Sequence, residues 1–192
     1  TVMSSSYYAV IMAGGGGTRL WPLSRKTRPK QMLRIIEQRS LFQMAVDRLA
    51  GLFDPQHILV VTVPEQFQDL HEQCLQIPEE NFLLEPMPRG TAAVVGLAAL
   101  HLARLDKNAV MAVLTADHYI GNQEWFRKLL QVAEIVARQD YLVTIGINPT
   151  FAATGYGYIQ QGKIQGTYQG VAVYHVLRFK EKPDEFQAQV ML

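Results

Sequence analysis

Short, almost uninterrupted apolar runs alternate with longer stretches in which apolar residues recur every three or four positions. Tyr7–Met12, His57–Val63, Asn81–Leu84, Ala109–Thr115 and Tyr141–Ile147 are of the first kind. Such runs predict strands buried on both faces, as in a parallel sheet. The second kind predicts helices. Ser40 is placed to cap Leu41–Phe53, whose Leu41, Met44, Ala45, Leu49 and Leu52 share a face. Pro64 suits the first turn of Pro64–Leu75. Thr91–Leu105 and Gln123–Gln139 complete the set, with Trp125, Leu129, Val132 and Val136 on one side of the last. Strand and helix in repeated alternation imply an open α/β sheet, with ligands at the carboxyl ends of its strands.

The period changes after Ile147. Thr154–Ile164 and Val171–Phe179 read as an antiparallel insertion, with turns at Gly162 and at Gly166–Gly170. Asp184 has the chemistry of a helix N-cap, and the chain stops at Leu192 about two turns later, so the sequence reads as part of a larger domain.

Composition narrows the class. The chain has 192 residues, enough for one domain, and 48% of them are hydrophobic, which excludes a disordered polymer. A net charge of +1 offers no attraction to nucleic acid or to an anionic membrane. Cys74 is the single cysteine, which points to a reducing, cytoplasmic setting. The longest apolar stretch, around Ala92–Ala103, is too short to span a bilayer.

The candidate chemistry starts where the first strand runs into Gly14, Gly15, Gly16, Gly17, Thr18 and Arg19. Consecutive glycines bare their N–H groups and admit positive φ, so such a loop can wrap a phosphate. A dinucleotide fingerprint would need glycine where Arg19 or Leu20 stands, and no Gly-Lys-Ser/Thr run of a P-loop is present. Pro22 disfavours helical geometry at Trp21, leaving Arg19, Arg25, Arg28 and Lys30 on one extended stretch. Clustered cations of this kind suit a triphosphate. A tight turn with surface cations is the plain alternative.

Three further segments stand out, the first two at strand ends. Glu85-Pro-Met-Pro-Arg89-Gly90-Thr91 follows the third strand, and a carboxylate there could accept from guanine N1–H and N2–H₂; a strand-end turn with a cap at Thr91 is the alternative. Asp117 closes the fourth strand, where one carboxylate facing phosphates can hold Mg²⁺. Gly155-Tyr156-Gly157 could be a strand kink, or a place where the backbone approaches a ligand closely. No histidine spacing suits zinc.

The run Gly14–Leu23 followed by Arg28-Pro-Lys30-Gln31 resembles the signature of the sugar-nucleotide pyrophosphorylases, with Trp21 and Pro29-Lys30-Gln31 as in its mannose-1-phosphate guanylyltransferase branch. The resemblance extends over most of the chain. It implies a Rossmann-like, mainly parallel mixed sheet flanked by helices, the nucleotide-diphospho-sugar transferase fold, here lacking its C-terminal side. It divides residues 1–192 into a nucleotide-binding part over about 7–147 and the start of a sugar-binding part over about 148–192.

Residue by residue, the resemblance implies that Arg19, Lys30 and Lys182 serve catalysis. The glycines from Gly14 to Gly17, Thr18, Glu85, Arg89, Gly90 and Thr91 would bind nucleotide, and Tyr156, Gly157 and Glu181 the sugar. Asp117 would be one ligand of Mg²⁺, with a second aspartate lying beyond Leu192. The family usually has Asn or Asp where Gly90 stands. The implied substrates are GTP and mannose 1-phosphate. A pyrophosphorylase using dTTP, UTP or ATP with glucose 1-phosphate, or a non-catalytic nucleotide sensor, are the competing expectations. Oligomeric state is open, a homo-oligomer included.

Overall fold

The computed structural model describes residues 6–15, 34–36 and 39–192. The chain divides into two compact units, Thr1–Leu130 and Gln131–Leu192.

In the first unit, β1 (Tyr7–Met12), β4 (Ile58–Thr62), β5 (Phe82–Leu84) and β6 (Val110–Thr115) form one sheet in the order β5-β4-β1-β6. Every pairing is parallel. A short antiparallel pair, β2 (Arg34–Ile36) and β3 (Arg39–Ser40), precedes α1 (Leu41–Asp47). The remaining helices are α2 (Pro64–Gln73), α3 (Thr91–Leu105) and α4 (Gln123–Ala137), the last crossing the boundary between the units.

Strand residues alternate between the two sheet faces, which explains why the apolar runs are continuous. Tyr7, Ala9, Ile11, Ile58 and Val60 pack with Phe42 and Val46 of α1, Leu70 of α2 and Leu130 of α4. Val10, Leu59 and Val61 pack with Val94, Ala98 and Leu102 of α3 on the opposite face. Fully burying one such side chain is worth about 1.5–3 kcal/mol. The Tyr7 hydroxyl, buried with its ring, donates to the Leu130 carbonyl at 2.9 Å.

The sequence order of the strands makes a switch point. From β1 the chain steps to β4 and then β5 on one side, and returns through α3 to place β6 on the other side of β1. The carboxyl ends of β1 and β6 therefore flank the crevice where open α/β sheets take ligands.

Local chemistry explains most boundaries. Ser40 and Gln43 form a reciprocal capping box at the start of α1, and Pro64 opens α2. Helix α1 is shorter than its periodicity predicts. It ends at Asp47 in tight i to i+3 turns, and Gly51 adopts φ 79°, which stops helical continuation while Leu49, Leu52 and Phe53 stay buried. On α4, Leu130 takes the deep position expected of its neighbour Leu129. Trp125 lies exposed with the Lys128 ammonium 5.4 Å from its ring centre.

In the second unit, β7 (Gly157–Tyr168) and β8 (Val171–Glu181) form an antiparallel hairpin, followed by α5 (Glu185–Val190). Gln169 and Gly170 make the two-residue turn, both with positive φ, the geometry that suits the twist of the strands. Gly162 is not a turn. It lies within β7 where the register shifts, and a Cβ there would stand 2.9 Å from the His175 carbonyl oxygen. Close backbone approach, not chain reversal, explains this glycine. The Asp184 carboxylate accepts from Gln187 N–H at 2.8 Å, as a cap should.

The expected strand Tyr141–Ile147 is not formed. The segment carries no ladder, and Leu142 and Ile147 lie exposed. An apolar run shows that a segment favours burial, but a strand also needs a partner edge for its N–H and C=O groups.

Candidate functional site

Three strand ends of the first unit carry the residues singled out above. Beyond Met12, Ala13 N–H still bonds to the Val61 carbonyl at 2.8 Å, and the Thr62 hydroxyl donates to the Ala13 carbonyl at 3.3 Å. Gly14 thus leaves the sheet from a fixed point. A Cβ at Gly14 would lie 3.5 Å from Glu85 Oε2 and 3.5 Å from Thr62 Cα, ordinary contact distances, and neither Gly14 nor Gly15 has positive φ. At these two positions glycine is not needed for handedness. What its missing side chain provides is bare backbone beside a carboxylate.

Glu85 continues the β5 ladder, donating its N–H to the Thr62 carbonyl at 2.8 Å, and is only 5% exposed. Beyond it, Arg89 is exposed, with its guanidinium against the Met87 sulfur at 3.6 Å. The cap of α3 is Gly90, with Thr91 as the first helical residue, and no side chain closes the helix start. Gly90 has φ 85° and ψ 177°, a conformation essentially reserved for glycine.

Asp117 sits in the turn after β6, its side chain one-quarter exposed, with His118 Nε2 4.0 Å from Oδ1. Among the described residues no three His, Cys, Asp or Glu side chains converge. A carboxylate at this place suits a hard cation such as Mg²⁺, held largely by phosphate oxygens and water.

The second unit gathers a separate set. Pairing of β7 with β8 sets Gly157 opposite Glu181, and Lys182 N–H donates to the Tyr156 carbonyl at 3.1 Å. Residues some two dozen positions apart thereby meet at the open end of the hairpin. A Cβ at Gly157 would lie 2.3 Å from Phe179 Cζ and 2.8 Å from Glu181 Oε2, so glycine is what lets those two side chains lie across the strand. The Lys182 ammonium is exposed, 3.6 Å from Glu181 Oε1. Lys182 also has φ 42°, unusual for a lysine and more so before a proline.

The expected Gly16, Gly17, Thr18, Arg19 and Lys30 lie outside the described residues, together with Pro22 and the return through Arg28. The structure adds one residue that the pattern passed over. Arg48 is 5% exposed, and its Nη2 donates to the His118 carbonyl at 2.7 Å, next to Asp117. Burial holds its guanidinium below the usual pKa. The available signal was position: Arg48 follows Met44 by four and Ala45 by three, on the apolar face of the helix expected over Leu41–Phe53.

Known proteins resemble the chain over nearly all of its length. The chain is 43% identical over 185 residues to the mannose-1-phosphate guanylyltransferase of Klebsiella pneumoniae, covering 95% of this chain and 39% of that protein. It is 44% identical over 186 residues to the protein of the same name from Sinorhizobium fredii, covering 95% and 35%. A crystal structure from Thermus thermophilus, described as a mannose-1-phosphate geranyltransferase, superposes with a TM-score of 0.84 at 35% identity, over 96% of this chain and 52% of that one. The chain thus spans less than two fifths of the length of these curated relatives. The family described as Nucleotidyl transferase matches residues 8–192, a stretch that contains both clusters, and the chain belongs to that family.

Proposed function

We propose that the chain carries the nucleotide-binding core and part of the sugar site of an enzyme that converts GTP and mannose 1-phosphate to GDP-mannose and pyrophosphate. The observation that carries the reading is the set of residues at the carboxyl ends of the parallel strands. Bare backbone at Gly14 lies beside the buried Glu85 carboxylate, and Asp117 stands at the end of β6. The names of the relatives support the same substrates.

In this reaction a phosphate oxygen of the sugar attacks the α-phosphorus in line. The bond to the bridging oxygen of the β-phosphate breaks, and pyrophosphate leaves. Two polyanions must meet, so positioning and charge stabilisation carry the catalysis, with no covalent enzyme intermediate. Glu85 accepts from guanine N1–H and N2–H₂, donors that adenine does not offer in the same arrangement. Arg19 and the glycine amides hold the leaving phosphates, and Lys30 steadies the α-phosphate. Lys182 neutralises the sugar phosphate, while Glu181 accepts from sugar hydroxyls beside Gly157 and Tyr156. Mg²⁺ at Asp117 supplies positive charge to the phosphate oxygens when bound.

The reading extends to a cytoplasmic setting, where nucleoside triphosphates are found. It fits the buried free thiol of Cys74 and the lack, among the described residues, of a helix long and apolar enough to cross a membrane. The test is pyrophosphate release by the full-length gene product, with each of GTP, dTTP, UTP and ATP against mannose 1-phosphate and glucose 1-phosphate. Release confined to GTP with mannose 1-phosphate is expected. A preference for another pair, or inertness towards all of them, would replace it with a relative of different specificity or with a nucleotide sensor.

A further inference from the structure

Arg48 is costly where it stands. It is 5% exposed, and among the described residues no carboxylate pairs with it. Its donors reach two carbonyls: Met44 of α1, which Arg48 caps, at 3.2 Å, and His118 at 2.7 Å. Enclosing a guanidinium without a counter-charge carries a desolvation penalty that an apolar side chain of similar volume would avoid. The gain lies at the far end of the contact. A charged donor makes a hydrogen bond about twice as strong as a neutral one. This one fixes the carbonyl of His118, the residue after Asp117, in a segment from Ala116 to Asn122 that belongs to no helix or strand.

Arg48 is itself fixed. Arg127 of α4 donates through Nη1 to the Arg48 carbonyl at 3.1 Å, pinning the end of α1. Two arginines thus link α4, α1 and the turn after β6 in series. His118 gives no comparable support, since its ring is exposed and 4.0 Å from Asp117.

We propose that Arg48 is a positioning residue for the nucleotide site: through the His118 carbonyl it sets the direction in which Asp117 presents its carboxylate to a divalent cation. This rests on the reading of Asp117 as a metal ligand. Partners that orient metal ligands commonly contribute about 10–100-fold in metal affinity.

The test compares Arg48→Met and Arg48→Gln with the native residue in the full-length gene product, by water-proton relaxation titration of Mn²⁺–GTP and by calorimetry of GTP in EDTA. Both variants are expected to lose about tenfold or more in Mn²⁺–GTP affinity with metal-free GTP binding unchanged. Leu70→Ala, which opens a cavity in the core, lowers Tm and keeps native Mn²⁺–GTP affinity. Native Mn²⁺–GTP affinity in a folded Arg48 variant overturns the proposal, and so does loss of fold in both variants, which would assign Arg48 to stability. Asp117→Asn separates the two ideas. If it too leaves Mn²⁺–GTP affinity unchanged, the metal reading fails; if it weakens binding while the Arg48 variants do not, only the present inference fails.

Discussion

Glu85→Gln changes one oxygen to an amide nitrogen at the place where base selection is proposed. The fold has little reason to notice. Glu85 is held in the sheet through its backbone N–H to the Thr62 carbonyl, which the substitution leaves intact. The ligand has more reason. A carboxylate offers acceptors to both N1–H and N2–H₂ of guanine, whereas glutamine offers one acceptor and turns a donor towards a donor. A hydrogen bond to a charged group contributes about 1.5–3 kcal/mol. At 5% exposure little water is present to replace the lost acceptor, which favours the upper part of that range. GTP affinity should therefore fall by about 10–100-fold, at 1.4 kcal/mol per factor of ten. ATP binding, which never used the pair, should hardly change.

Calorimetric titration with GTP, ITP and ATP measures this directly. ITP lacks the 2-amino group, so the native chain should prefer GTP over ITP, and the variant should lose most of that preference. An unchanged ratio of GTP to ATP affinity in a variant with native Tm would refute the base-reading role of Glu85.

Two other outcomes follow from the geometry. Lys182→Gly removes the ammonium but suits the positive φ. Relief of about 1 kcal/mol of backbone strain offsets the added freedom of the unfolded chain, so Tm should barely move. Turnover of the full-length gene product should fall about a hundredfold or more, and steady-state kinetics retaining native kcat/KM would remove Lys182 from the mechanism. The Cys74 thiol is pushed from its ordinary 9.0 up to about 12, first by burial and then by the Asp47 carboxylate, with Arg39 opposing. Its folded pKa is raised, so its contribution to stability is complete below about pH 9 and is lost as pH climbs towards 12. Disulfide-exchange labelling at pH 8 should be negligible in the native chain and rapid in urea; labelling at the unfolded rate would contradict the burial.

Much of this architecture is legible in the residues because both levels obey the same rule. Strand β1 and helix α3 fall on their expected bounds, since continuous apolar runs and Gly90 leave few other ways to bury these surfaces. Tyr141–Ile147 shows the limit: hydrophobicity reports a wish for burial, not the presence of a strand edge. Gly162 shows another, because a glycine needed for a neighbouring carbonyl looks in sequence like one needed for a turn.

The candidate site divides in the same way. Gly14, Glu85 and Asp117 stand out because strand ends of an α/β sheet are where such residues are useful. The meeting of Gly157 with Glu181 depends on hairpin register, which turn chemistry predicts only once the turn is known to be Gln169-Gly170. Arg48 escaped because a cation on an apolar helix face reads as a long side chain reaching for solvent, whereas here it reaches a carbonyl.

The measurement closest to the central claim is pyrophosphate released by the full-length gene product from GTP and mannose 1-phosphate in the presence of Mg²⁺, with GDP-mannose identified by mass spectrometry. Equal amounts of the two products, with no release when the sugar phosphate is omitted, are the expected result. Pyrophosphate without GDP-mannose, or GDP-mannose formed equally well by Asp117→Asn and Lys182→Gly together, would contradict it.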